Sequence, residues 1–231
     1  MAKAIMAVTT ANIMPTRTIS WGSAGLLGLA AVLLSLAIPN FLLRLQTLAM
    51  APITEQLKAG QSLDGLVLDD YIARQQEALE RDSRAEFAEQ LAMGLTARLS
   101  DTDIVSAIAA QQQSLRQAPA NPYGWLRLAY LSYQKDGVTV EAAAAWQKSL
   151  LTGPQEGRLL VPRLTFGILL MDQLPPSDKA RIPTLIRAAY AFDSGGLAKA
   201  AYDYHYISVV EAALADEPKQ LQRFLQMVGR R

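Results

Sequence analysis

Arg127, Arg158 and Arg163 are the residues of this chain with the most chemistry to offer. A guanidinium can hold a carboxylate, or an acidic glycan, through two parallel hydrogen bonds. Arg158 and Arg163 lie five residues apart and need not share a helical face. Internal pairing with Glu141, Glu156 or Asp172 is the competing use of these cations, and composition leaves the two uses open. With the nearby aromatics they make a candidate partner-binding set: Trp125, Arg127, Tyr130, Arg158 and Arg163.

Other reactive groups are sparse. The one histidine, His205, sits in Tyr202-Asp203-Tyr204-His205-Tyr206, and the chain has no cysteine. One imidazole without thiolates does not make a zinc site unless several carboxylates join it. That aromatic stretch reads either as a ligand-contact surface or as a packed helix whose tyrosine hydroxyls reach water. Asp69-Asp70 and Asp101/Asp103 are the nearest approach to paired carboxylates. A glycosidase needs its two acids across a cleft from separate chain positions, whereas these fit helix starts, where the macrodipole favours negative charge. Gly195-Gly196 lacks the Lys-Ser/Thr of a phosphate loop, and no G-x-S-x-G occurs. No catalytic residue, metal or cofactor is expected, and the chain reads as a non-enzyme.

The elements that would carry these residues are helices. Residues 22–43, GSAGLLGLAAVLLSLAIPNFLL, hold no charge and match the roughly 20 residues that cross a bilayer core. They are longer than the apolar core of a signal peptide, and Pro52 follows the small-residue stretch Ala49-Met50-Ala51, a poor place for cleavage. A retained transmembrane helix over 21–43 is expected, after a tail of residues 1–20. Lys3 and Arg17 precede it and Arg44 and Lys58 follow, a slight bias toward an N-terminus in the cytoplasm and a C-terminal domain outside, periplasmic in a Gram-negative cell. Ala24, Gly28, Ala31 and Ser35 share one face, a seam through which helices could associate with one another or with a polytopic partner. Pro39-Asn40 would kink this helix or mark its exit.

Beyond the span, three of the 22 basic residues are already behind, and 19 face 21 acidic ones. A near-neutral domain with no basic run argues against nucleic-acid binding, which requires several phosphate-neutralising side chains. Helical periodicity recurs throughout and no stretch alternates like a strand, so the chain is expected to be all-α. Residues 44–84 read as a linker with amphipathic helices: 45–59, a break at Gly60-Gln61-Ser62, and a helix from Asp69 to Arg81. Ala85–Leu99 follows, and Ser100-Asp101-Thr102-Asp103 has the form of a capping box. The next helix ends at Ala118-Pro119.

Between Pro119 and Pro154 the spacing approaches a tetratricopeptide repeat, a 34-residue helix–turn–helix unit. Trp125 and Leu128-Ala129 take first-helix positions and Gly137 the turn. Ala142, Trp146, Ser149 and Pro154 take the second-helix and closing positions, with one extra residue in the turn. Ala107, Ser114 and Leu115 fit the second helix of a degenerate preceding repeat, with Gln111 in place of the usual aromatic. Residues 85–154 are thus expected to form a degenerate α-solenoid, and 155–231 a helical cap over its last open face. In that cap, 158–174 is one expected helix, Ser177 the cap of the next, Gly195-Gly196 a turn, and 197–215 and 218–228 the last helices.

The stretch 118–174, with Pro119, Asn121, Pro122, Trp125, Leu128, Ala129, Ser149, Leu150, Gly153, Pro154, Arg158 and Arg163, resembles the VpsP-like polysaccharide biosynthesis proteins of bacterial exopolysaccharide clusters. The tail, AALADEP (212–218) with Arg223-Phe224, is similar as well. The resemblance implies one membrane helix, a degenerate repeat domain, an envelope setting and a polysaccharide connection, and transfers no active site. The expected function is a membrane-anchored scaffold at the bacterial inner membrane that binds protein partners in exopolysaccharide assembly or export. An assembly factor or chaperone for another envelope complex is the alternative.

Overall fold

The computed structural model describes residues 21–229; in the first helix the side chains of 21–25, 27, 36, 39–40, 42–44 and 46–47 lie outside the description. Helices and turns make up the whole of it, with no strand among the described residues. Contacts divide the chain into two compact units, Met1–Ala49 and Met50–Arg231.

Helix α1 runs Trp21–Lys58, and its helical assignment continues through Pro39. Leu26, Leu29, Val32, Leu33, Leu34, Ile38 and Phe41 are all exposed on it. Of the expected packing seam, Gly28, Ala31 and Ser35 are exposed and the Ala24 side chain lies outside the description. Ser35 turns its hydroxyl inward and donates to the Val32 carbonyl at 2.7 Å. The expected span falls partly outside the described residues, and among those described no helix is long and apolar enough to cross a membrane.

In the second unit consecutive helices pack on one another: α2 (Gly65–Arg81), α3 (Ala85–Arg98), α4 (Asp101–Gln117), α5 (Pro122–Asp136) and α6 (Val140–Thr152). Short connections force α3 with α4, and α5 with α6, into antiparallel hairpins, the arrangement of a helical-repeat stack. Local chemistry sets the joints. Asp64 caps α2 by accepting from the Leu66 N–H, so the helix starts at Gly65, four residues ahead of the expected start at Asp69. Asp69 and Asp70 therefore lie inside the helix, where Asp70 pairs with Arg74 and Asp69 with Arg98, and do not serve as starting residues. The capping box at Ser100 and Asp103 is formed as the sequence suggests. Leu99 closes α3 in the left-handed region at φ 46°, and Gly137 at φ 75° makes the α5–α6 turn.

Two clusters of buried side chains fill the stack. The larger contains Leu126, Leu128, Ala129, Ala142, Trp146 and Leu164, and the smaller gathers Leu68, Ile72, Leu91, Ala107 and Leu131. Ala129 and Ala142 are fully buried, as expected of small residues where helices approach closely. Tyr71, wholly buried, ties α2 to the end of α1 through a 3.1 Å hydrogen bond with Thr54.

The C-terminal region departs further from expectation. A 3₁₀ turn at Gly157–Leu159 leads to α7 (Leu160–Leu169), a second 3₁₀ turn at Met171–Gln173 and a short α8 (Pro176–Lys179), in place of one helix over 158–174. Helix α9 (Ile182–Asp203) continues through Gly195-Gly196 and kinks instead at Asp193 (φ −149°, ψ 77°), which accepts from the Gly196 N–H at 2.8 Å and restarts the helix. A Cβ on Gly196 would lie against the Asp193 carboxylate, so glycine serves that cap and does not make a turn. His205, at φ 59°, breaks the expected 197–215 helix into α9 and α10 (Ile207–Ala213). Helix α11 (Pro218–Val228) buries Phe224 and packs on α9, as does α10.

Candidate functional site

This unit holds a cleft of about 770 Å³. Its walls come from every second element of the stack: Thr54, Glu55 and Lys58 near the end of α1, Glu86, Glu89, Gln90 and Met93 on α3, Tyr123 and Arg127 on α5, and Arg158 with Pro162 around the start of α7. The spacing explains the set. Positions 86, 89, 90 and 93 share one face of α3, and 123 and 127 one face of α5, because neighbours three and four apart lie above one another. A hollow of about 410 Å³ shares Lys58, Met93 and Arg127 and reaches Leu63 and Leu68.

A half-buried polar network, built on the buried Gln111, holds the cleft floor. Arg127 donates to Gln111 Oε1 at 3.0 Å and to Glu89 Oε1 at 3.3 Å. Asn121 donates to the other Glu89 oxygen at 3.1 Å, while its own side-chain oxygen caps α5 by accepting from the Tyr123 and Gly124 N–H groups. One asparagine thus starts a helix and ties it to α3. Gln111 is fully buried, and a Cβ on Gly124 would come within 2.8 Å of its side-chain nitrogen, so glycine makes the room it needs. At the rim the charges are exposed: Lys58 pairs with Glu55 at 2.7 Å, and Arg158 forms no ion pair among the described residues.

The five expected partner-binding residues separate into different surroundings. Arg127 and Arg158 line the same cleft. Tyr130, one turn beyond Arg127, is half-buried with its ring edge-on to Phe166 (centroids 5.8 Å apart), and burial raises its hydroxyl pKa. Trp125 lies elsewhere: two residues from Arg127 is about 200° around a helix. It lines a separate hollow with Gln112, Leu115, Arg116, Leu128 and Lys148.

Arg163 is the clearest correction. It is wholly buried, donating from Nε to Ser149 Oγ at 3.0 Å, from Nη1 to the Gly153 carbonyl at 2.8 Å, and from Nη2 to the Ser149 carbonyl. Desolvation pushes its pKa below the ordinary arginine value, and the carbonyls at the end of α6 take the place of a carboxylate. This arginine is a C-terminal helix clasp, closed to any partner. Trp146 completes the clasp by donating its indole N–H to the Arg163 carbonyl at 2.7 Å.

Reading residue types passed over Glu89, Gln90, Tyr123 and Asn121. The signal for them was present in the four-residue spacing of 86–90 and 123–127 and in the Asn-Pro start of α5. Their convergence on Arg127, 38 residues from Glu89, is tertiary. In the Tyr202–Tyr206 stretch, Tyr202 is exposed in the last turn of α9 and Tyr204 and His205 are exposed in the turn that follows, whereas Tyr206 is buried and shares a 3.0 Å hydrogen bond with Thr165. Among the described residues no cluster of three or more His, Asp or Glu is placed to hold a metal ion. Comparison with protein-family models, curated proteins and solved structures finds no match to this chain.

Proposed function

We propose that this chain is a single-pass, membrane-anchored scaffold whose TPR-like helical domain grips an extended segment of a partner protein in the cleft between α1, α3, α5 and α7. The observation that carries the reading is the cleft itself. Alternate helices of the stack face one hollow with fixed polar groups at its floor, open charges at its rim, and Met93, Leu159 and Pro162 as apolar footing. A groove crossing several helices suits a chain segment, with contacts repeating from helix to helix. The sequence offers no nucleophile, metal set or carboxylate pair for a reaction, so binding is the activity proposed.

The membrane anchor rests on the uncharged residues 22–43 and on the exposed leucines, Val32, Ile38 and Phe41 of α1. Such a surface is costly in water and at home among lipid tails. The resemblance over 118–174 supports placing the scaffold at the bacterial inner membrane, the domain in the periplasm, and its partners in exopolysaccharide assembly or export. Anchoring raises the local concentration of the domain near such partners.

The test is capture of the tagged full-length protein from crosslinked, detergent-solubilised native membranes, beside an Arg158→Glu variant. Arg158 is exposed and unpaired, so reversing its charge alters the cleft rim without disturbing the fold. Glycosyltransferase or polysaccharide-export components captured by the parent and lost from the variant are the expected result. Capture of another envelope machine, again lost from the variant, would replace the polysaccharide role by that of an assembly factor. If the parent crosslinks to nothing, or if Arg158→Glu retains every partner, the cleft is not the binding surface.

A further inference from the structure

The hollow on the other side of α5 has a different character from the cleft. Trp125, Leu115 and Leu128 form its apolar part, Gln112 stands at its edge, and its two charged members, Arg116 and Lys148, are both cations. Both are exposed, and neither forms an ion pair among the described residues. The cleft differs in that two of its three cations, Lys58 and Arg127, each have a carboxylate and only Arg158 has none among the described residues, and in that Glu55, Glu86 and Glu89 also line it.

The hollow is also built in advance. Trp125 donates its indole N–H to the Pro119 carbonyl at 2.8 Å, which fixes the ring plane. The Lys148 ammonium lies 4.3 Å from the centre of that ring. A cation held over an indole keeps its charge and its remaining N–H donors, but loses much of the side-chain freedom that binding would otherwise have to remove. Leu151, three residues beyond Lys148 and so on the same side of α6, is 71% exposed.

We infer that this hollow is a second docking surface, which takes an acidic segment of a partner protein: carboxylates on Arg116 and Lys148, and a neighbouring apolar side chain against Trp125 and Leu151. Charge complementarity selects the occupant. Two unpaired cations without an acid among the lining residues repel a basic segment and attract an acidic one. The volume, about 340 Å³, admits a few side chains and no folded domain. The surface stands independently of the cleft proposed above, because α4, α5 and α6 supply it and none of its lining residues lines the cleft.

The experiment uses the full-length chain in neutral lipid nanodiscs and fluorescein-labelled dodecapeptides, each with one central leucine flanked by zero, two or four glutamates, followed by fluorescence polarisation. Matched peptides carry glutamine or lysine at the flanking positions. Exposed ion pairs of this kind contribute modestly, so affinity is expected to rise about two- to five-fold per paired glutamate and to fall with added salt. The glutamine and lysine series should show no such rise. In the Arg116→Gln/Lys148→Gln variant, whose substituted side chains are solvent-exposed and leave the core intact, the glutamate dependence should disappear. A Leu151→Ser variant should weaken every peptide equally while keeping the glutamate dependence. Equal binding of all three series, or a glutamate dependence that survives Arg116→Gln/Lys148→Gln, would overturn the assignment. Nanodiscs containing anionic lipid provide a further arm: if they abolish peptide binding to the parent through the same two cations, the surface belongs to lipid headgroups and not to a protein. Loss of partner capture in Arg158→Glu with an unchanged peptide titration would separate the two surfaces.

Discussion

Replacing Arg163 by methionine tests the difference between a partner-gripping arginine and a structural one. Methionine keeps much of the side-chain stem and removes the guanidinium. Two carbonyls, of Ser149 and Gly153, then lose their donor at the end of α6, and the Ser149 hydroxyl loses a donor while keeping its 2.8 Å bond to the Pro122 carbonyl. An unsatisfied buried acceptor costs about 1–3 kcal/mol. The Gly153 carbonyl is only part-buried and lies at the low end, and relief of the buried charge offsets a portion. The net expectation is a loss of about 3 kcal/mol, equivalent to roughly 6–12 °C in Tm for a domain of this size. Urea unfolding of the full-length protein followed by tryptophan fluorescence reads it directly, because Trp146 is bonded to the Arg163 carbonyl. Arg163→Lys should fall between, since one ammonium cannot reach all three acceptors with the planar fork of arginine. A loss below about 1 kcal/mol in Arg163→Met would refute the clasp. So would partner capture lost at unchanged stability, which is the behaviour of a surface contact.

Three further outcomes follow from the same packing. Gly167→Ala should destabilise by about 1–3 kcal/mol in the same unfolding assay, since its Cβ would come within 2.7 Å of the Trp146 ring and the buried indole has no room to retreat. Asp103 is held down at about 2, chiefly by its hydrogen bonds from Arg98 and further by those from Ser100, against the penalty of burial. Its folded pKa lies below its unfolded one, so its contribution of about 1–2 kcal/mol is present above pH 4 and fades as pH falls toward 2. Asp103→Asn should flatten that acid limb, and an unchanged limb would count against the assignment. Glu89→Gln removes the negative charge and one of the two oxygens that accept separately from Arg127 and Asn121, and should cost about 1–2 kcal/mol. A double-mutant cycle with Arg127→Gln should give a coupling of about 0.5–2 kcal/mol, and additive losses would show that the network is not a unit.

Much of the helical architecture is legible in residue order because its causes are local. A cap is decided within four residues: Ser100 and Asp103 form their box where the motif stands, and Asn121-Pro122 opens α5. The failures are informative for the same reason. Asp64 captured the start of α2 from Asp69 because its carboxylate could reach the Leu66 N–H. Gly195-Gly196 carries the composition of a turn, yet Asp193 two residues earlier supplies a helix cap that gives those glycines a helical place.

Residue order is thus enough to read helices throughout, an uncharged apolar stretch ahead of the domain, the paired helices of 85–152, and a middle segment bearing arginines and aromatics. What those arginines do is fixed by packing between distant segments. Helical periodicity places Arg127 and Trp125 on opposite sides of α5, but which side meets the cleft depends on α3 and α1. Whether Arg163 faces a partner or a helix end depends on the approach of α7 to Ser149 and Gly153. A guanidinium has the same five donors in either setting. The acceptors that reach it first, brought there by packing between segments far apart in the chain, settle its role.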